Sequence, residues 1–131
     1  FDRGDQQKGL DMAYRAIRGA TQLERDERDH LLRRTAELIT KVMHDNDVHS
    51  SQLVSIYFSA TQDIHSEFPA LAARELGLGD VPLMCGIEMD VEGAMPRVIR
   101  LMMTCDIDTP RSEIKHIYLR GAEALRLDLA Q

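Results

Sequence analysis

A guanidinium stands in the middle of an apolar run, Val98-Ile99-Arg100-Leu101-Met102-Met103. Other single polar residues interrupt apolar stretches in the same way: Arg18 follows Tyr14 to Ile17, Glu88 follows Cys85-Gly86-Ile87, and Tyr118 lies in His116-Ile117-Tyr118-Leu119. Strand alternation puts Arg100 with Val98, Met102 and Thr104, and sets Ile99, Leu101, Met103 and Cys105 on the other face. Neither face is polar throughout, so pattern alone leaves two readings open. Arg100 either faces water or an acid such as Glu88, or is a charge held for a ligand. Taken singly, Cys85 reads as a small core residue, Tyr118 as a core ring with its hydroxyl at the rim, and Glu88 as a loop carboxylate. Together they describe a pocket with several arginines, one acid, one thiol and one phenol, and no pair of nucleophile and base. Such a pocket suits a small polyanion, held for a reaction that needs positioning and charge stabilisation more than proton transfer.

Other chemistries have little support. There is no GxSxG, Walker A or GxGxxG pattern, and the histidines (His30, His44, His49, His65, His116) fall at no metal-binding spacing, so neither a metal nor a cofactor is expected. His44, His49 and His65 read as surface residues. Lys+Arg 16 against Asp+Glu 22 gives a formal charge of -6, which argues against nucleic acid or an anionic membrane as partner. Of those 16 basic residues 13 are arginine, the side chain suited to holding planar anions, although a high-GC genome gives the same bias. No run reaches the roughly 18 apolar residues of a membrane span, and no signal-peptide core opens the chain. Cys85 and Cys105, without a CxxC, point to a reduced cytoplasmic protein with free thiols.

The elements that must position these residues follow from periodicity. At 131 residues the chain is one domain, residues 12–131, after a polar, aperiodic stretch, 1–11, that reads as an N-terminal extension or expression remnant. Tyr14 to Arg18 reads as a short strand ending at Gly19. Thr21-Gln22-Leu23-Glu24 has capping-box spacing, and the stripes Leu31, Thr35, Leu38, Val42 and Leu32, Ala36, Ile39, Met43 predict a long amphipathic helix ending near Asp45 to Asp47. Leu53 to Ala60, apolar on both alternating faces, predicts a strand covered on both sides. A short helix is expected over Ala70 to Leu76, then strands over Val81 to Cys85, Arg97 to Asp106 and Ile114 to Leu119, and a helical turn over Gly121 to Leu125. The order predicts an α+β domain: one mixed sheet with one long and one or two short helices, leaving a face or edge for an oligomer to cover.

Over almost all of 12–131 the sequence resembles the small monofunctional chorismate mutases of the trimeric pseudo-α/β-barrel class, distinct from the all-helical class. The likeness is carried by AIRGAT (16–21) with ERD (24–26), SATQDIHSEFPA (59–70), ARELG (73–77), VPLMC (81–85), EMDV (88–91), IRLMMT (99–104), HIYL (116–119) and LRLDL (125–129). No single motif would suffice; the ordered set is specific. The resemblance implies a cytoplasmic homotrimer that converts chorismate to prephenate, for phenylalanine and tyrosine biosynthesis, in clefts between neighbouring subunits and without cofactor. The reaction is an intramolecular rearrangement whose transition state carries partial negative charge on the breaking ether oxygen.

By motif position the resemblance implies that Arg100 donates to that oxygen, as a buried charge left unneutralised until substrate arrives. Arg18 and Tyr118 match residues that bind a substrate carboxylate, and Glu88 matches the acid that accepts from the ring hydroxyl. Leu83, Met84 and Cys85 of VPLMC, Phe68 and Arg74, and Leu125 and Arg126 of the C-terminal segment match residues lining or closing the cleft. Leu71, Met84 and Arg120-Gly121 depart from the family pattern. Trimeric imine or enamine deaminases, which use equivalent clefts, are an alternative that lacks its C-terminal signature here. An anionic-metabolite-binding protein is another, and mere anion binding would not require Glu88 beside Arg100.

Overall fold

In the computed structural model, which describes residues 13–129, Glu27 caps the long helix; the expected extension at 1–11 lies outside the described residues. The Glu27 carboxylate accepts from the backbone N–H of Asp29 and of His30, and helix α1 runs Arg28–Asp45 with both apolar stripes turned inward. The capping box expected at Thr21 to Glu24 is therefore not used. Thr21 belongs instead to strand β1, Tyr14–Gln22, because pairing opposite Ile99 and Leu119 satisfies its backbone in the sheet. Nor does β1 stop at Gly19. A Cβ there would meet the side chains of Leu38 and Val42 at 3.1 Å, so the glycine serves the close approach of α1 to the sheet.

Strand β2 is Leu53–Ala60, followed by helix α2, Ala70–Glu75, and strand β3, Leu83–Ile87. Strand β4, Val98–Asp106, is the long strand holding Arg100. After a single 3-10 turn at Arg111–Glu113, strand β5 spans only Ile117–Leu119, and helix α3 runs Glu123–Leu129. The five strands form one mixed sheet in the order β3-β2-β4-β1-β5, antiparallel across β4 and parallel at both edges. This is the expected α+β architecture with one long and two short helices.

The helices cover one face. Ile17, Ile56, Phe58, Ile99, Leu101, Met103 and Cys105 face Leu31, Leu38, Ile39 and Val42, and all are buried. Burial pushes the Cys105 thiol up to about 11, which makes it a core residue and not a reactive one. The other face is mostly left open by this chain. Tyr57, next to buried Phe58, is 45% exposed, so this chain by itself covers β2 on one side only.

His30 is buried, unlike the exposed His44, His49 and His65, and its Nε2 accepts from the Glu24 N–H at 3.1 Å, closing the loop that enters α1. Burial first, then the charges of Arg25 and Arg34, holds its imidazole below the ordinary 6.5. The folded state thus binds fewer protons than the unfolded chain below pH 6.5, so this stabilisation is complete above that pH and falls away as the pH drops. At fixed protein concentration, the urea midpoint is expected to decline between about pH 6.5 and 5 in the wild type. The decline should be shallower in His30→Gln, whose amide oxygen keeps the acceptor near Nε2 without titrating. An equal slope in both would remove His30 from the pH dependence.

Candidate active site

Register brings the candidate residues onto the open face. One cross-strand row reads Tyr118, Ala20, Arg100, Ser59, Gly86, and the next reads Arg18, Met102, Tyr57, Met84. Because paired residues share a face, Arg18, Arg100 and Tyr118 project from the same side of three neighbouring strands. Across the first row a side chain is missing at Gly86, where a Cβ would run into the Tyr57 hydroxyl. The Tyr57 ring lies over that notch and walls a cavity of about 220 Å³ with Arg18, Ser59, Arg100, Met102 and Tyr118.

On the wall of this cavity, Arg100 places Nε 2.9 Å from Oε2 of Glu88, which does not itself line the cavity, and the same oxygen accepts from the Ser59 hydroxyl at 2.7 Å. Ser59 is the register partner of Arg100, and Glu88 lies one residue past β3, with its N–H bonded to the Ala60 carbonyl at 3.0 Å. Three strands thus fix one ion pair. Glu88 is mostly buried, at 16% side-chain exposure, whereas Arg100 is 44% exposed. The expectation of a buried and unneutralised Arg100 is therefore corrected: the arginine is half-exposed and already paired, since β2 carries the strand bearing the acid alongside it. Arg100 spends only Nε on Glu88. Among the described residues its Nη nitrogens make no hydrogen bond, which leaves donors in a fixed plane for an anion or a developing oxyanion.

A larger cleft of about 550 Å³ shares Arg18 and Tyr118 with this cavity and adds His116, Lys115 and Arg126. It is strongly cationic, with Asp45 the one acid among the described residues that line it. Leu125 packs with Tyr118 over Ala20, Val98 and Ala122, so the start of α3 covers one end of the open face. The segment that bears Tyr118 is anchored from α1. The buried Asn46 amide donates to the Lys115 carbonyl at 2.9 Å and accepts from the Lys115 N–H at 2.8 Å. Just beyond β5, Arg120 makes two bonds to the Glu37 carboxylate, at 3.0 and 2.7 Å, and this holds Glu37 below the usual carboxylate range. The departure at Arg120 is thereby occupied with fastening the end of β5 to α1.

The remaining candidates lie elsewhere. Phe68, 69% exposed, lines a separate cleft of about 520 Å³ with Cys85 and Ile87 along the β3 edge. Met84 is exposed on the open face, while Leu83 turns the other way and packs against the core, as does Leu71 from α2. Arg74 is exposed on α2 and lines none of these three clefts. The candidates fall into two groups, one running from the central strand β4 to the β5 edge and one at the β3 edge and α2, with Glu88 tied to the first through Arg100. Sequence reasoning missed Ser59, Tyr57, Gly86 and Asn46. For Ser59 and Tyr57 the advance signal was alternation in LVSIYFSA, which becomes informative once Ser59 is known to pair with Arg100; Gly86 and Asn46 had none.

Comparison with known proteins agrees with this fold. The family model described as chorismate mutase type I matches residues 14–129. The chain is 43% identical over 120 residues to chorismate mutase AroH of Bacillus subtilis, covering 91% of this chain and 94% of the relative. It is 41% identical over 116 residues to chorismate mutase AroH of Thermus thermophilus, covering 88% and 95%. Among solved structures, a chorismate mutase from Clostridium thermocellum superposes with a TM-score of 0.83 at 37% identity, covering 84% of this chain and 98% of that one.

Proposed function

This chain belongs to the type I chorismate mutase family and is an isomerase that rearranges chorismate to prephenate, and from that premise we propose that Arg100, Glu88, Arg18 and Tyr118 carry the reaction. The arrangement of Arg100 beside Glu88 over Ser59, with unspent donors, carries this reading. As the ether C–O bond breaks and the new C–C bond forms, negative charge gathers on the ether oxygen. A donor already held in place by an ion pair needs no reorganisation to meet that charge. Arg18 and Tyr118 grip a carboxylate from the neighbouring strands, and Glu88 accepts from the ring hydroxyl. Together they hold the compact diaxial conformer, so binding energy is spent on orientation. No side chain has to form a covalent bond or move a proton.

The active form is a homotrimer with active sites between subunits. Two observations support this: the candidates are divided between separate clefts, one set from β4 to the β5 edge and the other at the β3 edge, and the open face exposes Tyr57, Met84 and Met102, apolar surface that a neighbouring copy would cover. Arg126 and Leu125 close the cleft from one side, while Phe68, Arg74, Met84 and Cys85 approach the site of the adjacent copy. We infer a cytoplasmic location, where Cys85 and Cys105 stay reduced.

The test is conversion of chorismate to prephenate by purified protein in metal-free buffer, followed alongside its mass in solution. Arg100→Ala and Phe68→Asp, each impaired alone, are then dissociated, mixed and reassociated. Activity above either parent would arise from hybrid sites that take one intact half from each chain. Recombined protein with no gain would mean that each chain carries a complete site, and the shared-site reading would fall.

A further inference from the structure

Strand β5 pairs with β1 at only three positions, Gly19 with Ile117, Ala20 with Tyr118 and Thr21 with Leu119. The ladder ends just before Arg18, whose backbone N–H would then lack a strand partner. Instead it donates to the imidazole Nδ1 of His116 at 2.9 Å. A side chain takes over where the β5 backbone runs out, at the residue whose guanidinium faces the site. Asn46 fixes the backbone of Lys115 next door, so the ring sits on an anchored segment.

We propose that His116 is a positioning residue for the rearrangement: as a neutral acceptor it completes the β1–β5 ladder at Arg18 and so sets the spacing between Arg18 and Tyr118 that a substrate carboxylate must bridge. The inference rests on the reading of Arg18 and Tyr118 as the carboxylate grip. With Nδ1 accepting, the ring proton resides on Nε2. A second proton would turn the acceptor into a donor facing another N–H. The groups around the ring oppose that proton: Arg18 and Arg15 from β1, Arg126 from α3, Lys115 beside it and Arg111 from the preceding turn, with Asp45 of α1 alone on the acidic side among the described residues. Burial first, then Arg18 and Arg126, holds the imidazole below the ordinary 6.5.

A carboxylate grip acts on substrate and transition state alike, so its loss belongs in KM. His116→Phe keeps a ring but removes the acceptor. It is expected to raise KM about tenfold with kcat nearly unchanged, and to speed amide hydrogen exchange at Arg18. His116→Asn supplies an acceptor near the Nδ1 position without titrating. It should keep KM and exchange protection near wild type, and should lose the fall in kcat/KM expected of the wild type as the pH drops below 6.5. An unchanged KM and Arg18 exchange rate in His116→Phe would overturn the proposal. So would an acid limb persisting in His116→Asn, or wild-type activity that rises on acidification, which would make the ring a third cation for substrate. If His116→Phe does not fold, the His116→Asn profile decides. Arg18→Ala separates the two layers: an unchanged KM there removes the carboxylate grip itself, whereas the exchange rate still reports the His116 bond.

Discussion

Arg100→Ala is expected to stay folded and lose about 10²- to 10³-fold in kcat, with a smaller change in KM, because the donor is worth most where charge develops. The side chain is half-exposed on the open face, and its removal opens no core cavity. Glu88 keeps its bond from Ser59 in the variant, which limits the structural cost. Arg100→Lys restores charge but not the planar fork, since one ammonium must choose between Glu88 and the ether oxygen; it should recover only a small part of the rate. Steady-state kinetics on the folded variants checks both. A fast Arg100→Ala enzyme would make the arginine a partner for Glu88 and nothing more.

Glu88→Ala carries the second largest expected effect. A hydrogen bond to a charged group is worth about 1.5–3 kcal/mol, so losing the acceptor for the ring hydroxyl should lower kcat/KM by about 10- to 100-fold. Two consequences follow inside the protein as well: Ser59 loses its acceptor and Arg100 loses the ion pair that orients it. Glu88→Gln preserves shape and one acceptor oxygen, and should fall between wild type and Glu88→Ala. Because Arg100 and Glu88 touch, their combined alanine variant should be less impaired than the product of the single effects. Simple multiplication of the two losses would show that they act independently despite the 2.9 Å contact.

The misread local signals share one cause. Gly19 looked like a stop and Thr21 to Glu24 like a helix cap, and both are permissible local structures. Pairing with β4 over nine registered positions carried the strand through them. The glycine answered to a helix passing above it, and the cap passed to Glu27, nearer the helix itself. The apolar Tyr57 beside Phe58 marks a second face of β2 that this chain by itself leaves uncovered.

Periodicity determined the long helix, the Leu53 to Ala60 strand, the short helix after Pro69 and the α+β class, since each is set by side-chain spacing within a few turns or residues. The ordered motifs determined the family and named most of the candidate residues. What only the tertiary structure decided is which of them meet. Arg100 and Glu88 are joined by the β2–β4 and β2–β3 registers, Arg18 and Tyr118 by a three-residue parallel ladder finished by His116, and Phe68 and Cys85 are carried to the far edge. Such pairings depend on strand order and register, which arise from burying one face of the whole sheet at once. No local window of sequence contains them.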